Sequence, residues 1–175
     1  VTPTVTVRPD GVRCWALFSS CRRWRYSLFR DFTDETNPRR LNVIALNPST
    51  ADETSDDPTV HKLQKWARLW GYDGVVVTNI FAWRSTDPKA LRAVVDPIGP
   101  DNDHWLRVEA QSAAAVLVAW GDSGPGDWRP RDVLRLLSGI ELWCLGRTGS
   151  GSPRHPSRLG YDTPREVYRA AGVGA

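Results

Sequence analysis

From position 41 onward the chain alternates short apolar runs with stretches whose apolar residues recur every three or four positions. The run Leu41-Asn42-Val43-Ile44-Ala45-Leu46 predicts a buried strand, closed by Asn47-Pro48-Ser49-Thr50. After a polar loop, Asp57-Pro58 predicts a helix start: a capping carboxylate, then a proline where no backbone N–H is needed. Val60, Leu63, Ala67 and Trp70 continue that helix on one face, and Gly71 stops it. Val75-Val76-Val77-Thr78 predicts a second strand, too apolar to have a wet face. Asp87-Pro88 opens a short helix, Pro97-Ile98-Gly99-Pro100 breaks the chain, and Asp101 begins a helix through Trp105 and Val108. Ala115-Val116-Leu117-Val118-Ala119 predicts a third strand ending at Trp120-Gly121, positions 131–137 a helix, and Leu142-Trp143-Cys144-Leu145 a fourth strand. A flexible loop follows over 146–156, and Thr163-Pro164 caps a predicted final helix that stops at Gly172. This alternation predicts the fold class α/β: three layers, α/β/α, around a central, mainly parallel four-stranded sheet.

The first forty positions are less regular. Residues 1–7 alternate polar and apolar, as in an edge strand or an extended arm. Residues 14–18 and 26–32 predict short strands split by the basic turn Arg22-Arg23-Trp24-Arg25, forming a hairpin or a wrapping segment. One domain over 1–175 is expected, with 1–40 packed on it, and 175 residues suffice to bury a core.

Composition narrows the classes. A hydrophobic fraction of 41% and a charged fraction of 25% suit a soluble globular protein. No apolar run approaches the roughly 20 residues of a membrane span, and nothing at the start reads as a signal peptide. Val1 reads as the residue left after an initiator methionine or a tag is trimmed. Cys14, Cys21 and Cys144 are an odd count without a close pair, so neither a disulfide framework nor a four-thiolate metal site is expected. A reduced, cytoplasmic protein with no metal and no cofactor is the resulting expectation. The formal charge of +3 permits nucleic-acid binding without requiring it. Arg22, Arg23, Arg25 and Arg30 crowd one early segment, and Arg147, Arg154 and Arg158 flank a Gly/Ser-rich loop. They form either a solvated basic surface or a phosphate-binding one. Of nine tryptophans, most belong in a core, but one or two on loops could stack on a base.

In an open parallel sheet, ligands bind beyond the carboxyl ends of the strands. Those positions hold Asn47, Pro48, Ser49 and Thr50, then Asn79, Phe81, Trp83 and Arg84, then Gly121, then Arg154, His155, Pro156 and Ser157. Asn79 ends an otherwise apolar strand. Its amide either caps that strand or supplies the donor and acceptor that read a base edge. His155, in a Gly/Pro/Arg loop, is either a plain surface histidine or a donor to an oxygen gaining charge. Asp52, Glu53, Asp56 and Asp57 lie between the first strand and its helix; Asp57 is the cap, while Asp52 or Asp56 either orients a water or is solvated. No GxSxG, Walker loop, GxGxxG after a strand or HExxH occurs, which removes the main support for serine-hydrolase, nucleoside-triphosphatase and zinc-protease chemistry.

Three short segments, in order, resemble motifs of the uracil-DNA glycosylase superfamily. They are Leu46-Asn47-Pro48-Ser49, Val77-Thr78-Asn79-Ile80-Phe81 continuing through Arg84 to Pro88, and His155-Pro156-Ser157-Arg158-Leu159. The resemblance covers roughly positions 41–159. More narrowly, Arg25-Tyr26-Ser27-Leu28 with Leu46-Asn47-Pro48-Ser49-Thr50-Ala51-Asp52 is similar to a bacterial and phage family of uncharacterised domains.

The superfamily resemblance implies a glycosylase-like three-layer fold and a divergent DNA glycosylase that hydrolyses the N-glycosidic bond of a flipped-out, damaged or modified base, such as a phage-type modified pyrimidine, in repair or antiviral defence. It implies Asn47 and His155 as catalytic, with Asn47 positioning water and His155 stabilising the departing base. Asn79 and Ser49 would hold the base, and Phe81 or Trp83 would stack on it. Arg84, Arg154, Ser157 and Arg158 would contact DNA, and Leu159 would fill the gap in the duplex. The most active relatives carry a carboxylate where Asn47 stands, which implies slow chemistry, a substrate with a better leaving group, or a neighbouring carboxylate, Asp56 or Asp52, in its place. The superfamily's usual aromatic after the first motif is missing, which predicts a wider pocket. Superfamily branches with an iron–sulfur cluster need four cysteines, so none is expected. The partner is DNA, single- or double-stranded, with no membrane and a monomeric protein. Two other classes stay open: a non-catalytic module that binds a modified base or nucleotide, and an enzyme of free nucleosides or nucleotides.

Overall fold

Eight strands in residues 3–169, the part of the chain described by this computed structural model, form one sheet. They are β1 (Thr6–Val7), β2 (Arg13–Phe18), β3 (Arg25–Asp31), β4 (Arg40–Ala45), β5 (Gly74–Asn79), β6 (Ala115–Val118), β7 (Leu142–Cys144) and β8 (Glu166–Val167). Three α-helices accompany them: α1 (Pro58–Leu69), α2 (Asn102–Ser112) and α3 (Trp128–Leu136). The spatial order is β1-β2-β3-β5-β4-β6-β7-β8. The block β5-β4-β6-β7 is parallel, whereas β1-β2, β2-β3, β3-β5 and β7-β8 are antiparallel.

This overturns the expected three-layer, glycosylase-like fold around a mainly parallel four-stranded sheet. The four apolar runs do form adjacent parallel strands, but these are only half of a mixed sheet in which antiparallel pairings outnumber parallel ones. The difference begins with β3. Every residue of β3 is buried, and it joins β5 through Leu28↔Val77 and Phe29↔Val76. Its polar residues Arg25, Ser27, Arg30 and Asp31 disguise that burial in the sequence, and each needs a dedicated partner to sit there. Residues 1–40 are therefore not an arm laid on a finished sheet, since β1, β2 and β3 extend it. Of the stretch 1–7, positions 1–2 lie outside the described residues.

The expected final helix also gives way. Glu166–Val167 pair with β7 through Trp143↔Val167, covering what would otherwise be an open edge. The end of that predicted helix, 170–172, lies outside the described residues. Asp87-Pro88 opens a short 3₁₀ turn, Pro88–Arg92, with Asp87 as its cap.

Two apolar clusters flank the sheet. Val60, Leu63, Trp66 and Ala67 of α1 pack on Leu41, Val43, Val75 and Val77. On the other cluster, Leu106 and Ala110 of α2 and Val133 of α3 pack on Ile44, Val116 and Val118. The alternation Val43/Ile44 follows from the period-two geometry of a strand covered on both faces. Glu109 of α2 is buried, and its Oε1 accepts from the Ser27 hydroxyl at 3.2 Å. Burial pushes its carboxyl up to about 7, against the opposing influence of Ser27 and Arg40. Among the described residues no helix is long and apolar enough to cross a membrane.

Candidate active site

A cavity of about 230 Å³ opens at the carboxyl ends of β4, β5 and β6 and is closed by the loop carrying His155. Four residues nominated by strand-end position line it: Asn47, Ser49, Asn79 and His155. Arg25, Asp57 and Trp120, which strand-end position does not nominate, also line it.

Asn79 ends β5 and is 1% exposed. Its Oδ1 accepts from Arg25 Nη2 at 3.2 Å, and its backbone carbonyl accepts from Asn102 Nδ2 at 3.0 Å. The amide is thereby oriented with its oxygen on the guanidinium, and the NH₂ group makes no hydrogen bond among the described residues. Asn47 is oriented oppositely. Its Nδ2 donates to Ser85 O at 2.8 Å and Pro48 O at 3.1 Å, which ties the loops after β4 and β5 together. Both amide hydrogens are used, so Asn47 offers the cavity an acceptor.

His155 is half-buried beside the 3₁₀ turn Pro156–Arg158. The Ser157 N–H donates to its Nδ1 at 3.3 Å, and the Ser157 hydroxyl lies 3.0 Å from the same atom. Burial pushes the imidazole below the ordinary histidine range, with Asp57 pulling the other way. A neutral ring accepting at Nδ1 carries its proton on Nε2. Gly121 (φ +66°) lies against the base of this side chain: a Cβ there would sit 3.3 Å from the Cβ of His155. A side chain at 121 would be strained and would crowd the histidine.

Asp57 has two roles. Oδ1 caps α1 by accepting from Val60 N at 2.8 Å, while Oδ2 has no partner among the described residues and the side chain lines the cavity. Asp56, the expected substitute carboxylate, is excluded from the cavity. Its Oδ1 accepts from Arg30 Nε at 2.7 Å, and its Oδ2 from Gln64 Nε2 at 2.7 Å and from Arg8. Burial acts to raise its proton affinity, but hydrogen bonds from Gln64, Arg8 and Arg30 outweigh it and hold the carboxyl below its ordinary range. It is a clamp for Arg30, not a base. Asp52 is likewise occupied, accepting from the Thr54 and Ser55 N–H groups at 2.9 and 2.8 Å.

Further expectations are corrected. Phe81 is fully buried, edge-on to Trp128 at 5.8 Å, and Trp83 packs edge-on to Trp24 at 5.7 Å. Neither lines the cavity, and its aromatic surface is Trp120, at the end of the third apolar run. Leu159 is 5% exposed and belongs to the core under α1, so it is not free to enter a duplex. Arg84 lies over the Phe18 ring at 5.0 Å and reaches Arg22 O, away from the cavity. Exposed Arg154, Ser157 and Arg158 line an adjoining space of about 400 Å³ that shares His155 and Ser123 with the first cavity. Of the early basic cluster, Arg25 and Arg30 are buried and not part of a solvated surface.

Strand-end reasoning reaches Trp120 if the last residue of the apolar run is counted with the loop. Asp57 was hidden by its cap role. No local pattern separates Arg25 from its exposed neighbours Arg22 and Arg23. Among the described residues, no group of three or more His, Cys, Asp or Glu side chains could hold a metal ion.

A family model described as "Protein of unknown function (DUF1643)" matches residues 25–157, a span that takes in Arg25, Asn47, Asn79 and His155. No curated protein and no solved structure matches the chain.

Proposed function

The chain belongs to the DUF1643 family, and we propose that it is a monofunctional DNA glycosylase acting on a flipped-out, damaged or modified base. The observation that carries this reading is the convergence of His155, Asn79 and Asp57 on one base-sized cavity. At about 230 Å³ the cavity is below the roughly 300–1,000 Å³ of drug-sized sites, which suits one heterocycle.

The chemistry follows from what each group offers. When the bond between the sugar and the base breaks, its electron pair leaves with the base, and negative charge spreads over the base's oxygens and ring nitrogen. Nε2–H of His155 and the NH₂ of Asn79 donate to those atoms. Oδ2 of Asp57 and the amide oxygen of Asn47 accept the hydrogens of a water and turn its lone pair toward the sugar carbon. The water's hydroxyl ends on the sugar and its proton on the base. Trp120 supplies the apolar wall against which a ring lies. Arg154, Ser157 and Arg158, exposed beside His155, take phosphates of the strand. In this reading the protein works on cytoplasmic DNA as a monomer, and phage-type modified pyrimidines are the candidate bases.

A second reading, a base-binding module without chemistry, is favoured by one observation. Both Asn47 hydrogens are spent on backbone carbonyls, and the cavity's single carboxylate is also a helix cap.

A gel assay for alkali-labile abasic sites separates the two. DNAs carrying uracil, thymine mismatches, and hydroxymethylated or glucosylated cytosine are incubated with wild type, His155→Ala, Asn79→Ala and Asp57→Asn. Loss of one preorganised donor lowers the rate about 10²–10³-fold. Asp57→Asn keeps a competent cap and lowers kcat with KM unchanged. Salt-sensitive binding across the panel without abasic sites selects the binding module.

A further inference from the structure

We propose that the cavity takes a base bearing an anionic substituent, with the Arg25 guanidinium as its counter-ion. The inference rests on the reading of this cavity as a base site and names the class of base.

Arg25 is 2% exposed. A guanidinium has five N–H donors, and only two of these meet acceptors among the described residues: Nη1 on Ala51 O at 2.7 Å and Nη2 on Asn79 Oδ1 at 3.2 Å. Both acceptors are neutral, and Nε is buried without a partner. Arg25 has no ion pair among the described residues. Asp57, which also lines the cavity, makes no ion pair with Arg25 but favours its charge from a distance, as does Asp52, while the nearby cations Arg84 and Arg30 oppose it. Burial pushes the guanidinium down to about 9.

A buried cation without an anionic partner is costly, so a charge kept at such a position calls for a reason other than stability. The position of this uncompensated charge, beside the Asn79 amide on the wall of a cavity, points to a ligand that completes it. A planar carboxylate suits the fork geometry of a guanidinium. Arg25 lines this cavity and not the adjoining space where Arg154 and Arg158 face the strand phosphates, so the anion that meets Arg25 is one carried on the ring.

Binding tests this without requiring turnover. Uracil-5-carboxylate and uracil-6-carboxylate are titrated by calorimetry, each beside its neutral carboxamide, with inorganic phosphate as a separate arm. At least one carboxylate is expected to bind tenfold or more tighter than its carboxamide. In Arg25→Gln the two should fall within twofold of each other, with a melting curve as the folding control. If Arg25→Gln does not fold, the wild-type pair decides alone, with Arg25→Lys retaining part of the preference. Equal wild-type affinity for each carboxylate and its carboxamide, or a preference intact in folded Arg25→Gln, overturns the proposal. So does inorganic phosphate binding as tightly as the better carboxylate, which would assign the site to a free anion. The abasic-site assay fails separately. Carboxylate preference without abasic sites leaves the anion site and removes the chemistry, while abasic sites without the preference do the reverse.

Discussion

Arg30 and Arg25 lie near opposite ends of β3, both are buried, and both hold the loop between β4 and α1. At the Arg30 end the charge and four of the five donors are matched. Nε meets Asp56 Oδ1 at 2.7 Å, Nη1 meets Phe29 O at 2.7 Å, and Nη2 meets Asp52 O at 2.6 Å and Ser55 O at 3.1 Å. At the Arg25 end the loop supplies one carbonyl, from Ala51, and among the described residues no carboxylate pairs with the guanidinium. One residue type in one strand thus has two uses: a charge answered inside the protein fixes the loop, and a charge left unanswered beside a cavity is available to a ligand.

The contrast breaks most visibly at Asp56. Asp56→Ala strands Arg30, while Arg8 keeps Asp10, and is expected to cost about 3–5 kcal/mol, as removal of one partner of a buried pair does. Urea titration at neutral pH measures it, and a loss under 1 kcal/mol would erase the distinction between the two arginines.

Glu109 sharpens the comparison from the acidic side, as another buried ionisable group without an ion pair among the described residues. Its proton affinity is raised in the folded state, from an ordinary 4.5 to about 7, so the folded protein holds an extra proton between those values. Stability is therefore greatest below that window and falls as pH rises through it, by on the order of 3 kcal/mol. Glu109→Gln should flatten this part of the profile in thermal melts between pH 4.5 and pH 8. An unchanged slope would mean that the carboxylate is compensated after all.

The smallest stability effect is expected at Arg25 itself. Arg25→Met removes two hydrogen bonds, worth about 1 kcal/mol each, but also an uncompensated charge, and should cost less than about 2 kcal/mol. A larger loss would put Arg25 in the same structural class as Arg30.

How much of this was readable in the chain depends on which physics is local. The parallel strands stand out because a strand covered on both faces must be continuously apolar, as in Val75-Val76-Val77. The antiparallel half does not, because β3 mixes Leu28 and Phe29 with Arg25, Ser27 and Arg30, and their burial depends on partners such as Glu109 and Asp56 far along the sequence. In the site, position after a strand nominated Asn47, Ser49, Asn79 and His155. The resemblance points to Asp56 or Asp52 as the carboxylate, whereas the one lining the cavity is Asp57, because consecutive loop residues face different surroundings: Asp56 turns to Arg30, Asp57 to the cavity. Phe81 and Leu159 were read as functional on motif position, whereas their area is spent in the core.

The seam between the two halves of the sheet has a consequence for how the molecule comes apart. Arg25 belongs to the antiparallel half, while Asn47, Asp57 and Asn79 belong to the parallel half, so an occupied cavity is a rivet across the β3–β5 boundary. Opening of the β2–β3 hairpin alone would release the ligand, and mass action would oppose that opening. Amide hydrogens of β3 should therefore exchange more slowly in the presence of a bound anion than those of β7, whose partners β6 and β8 lie on the far side of the sheet.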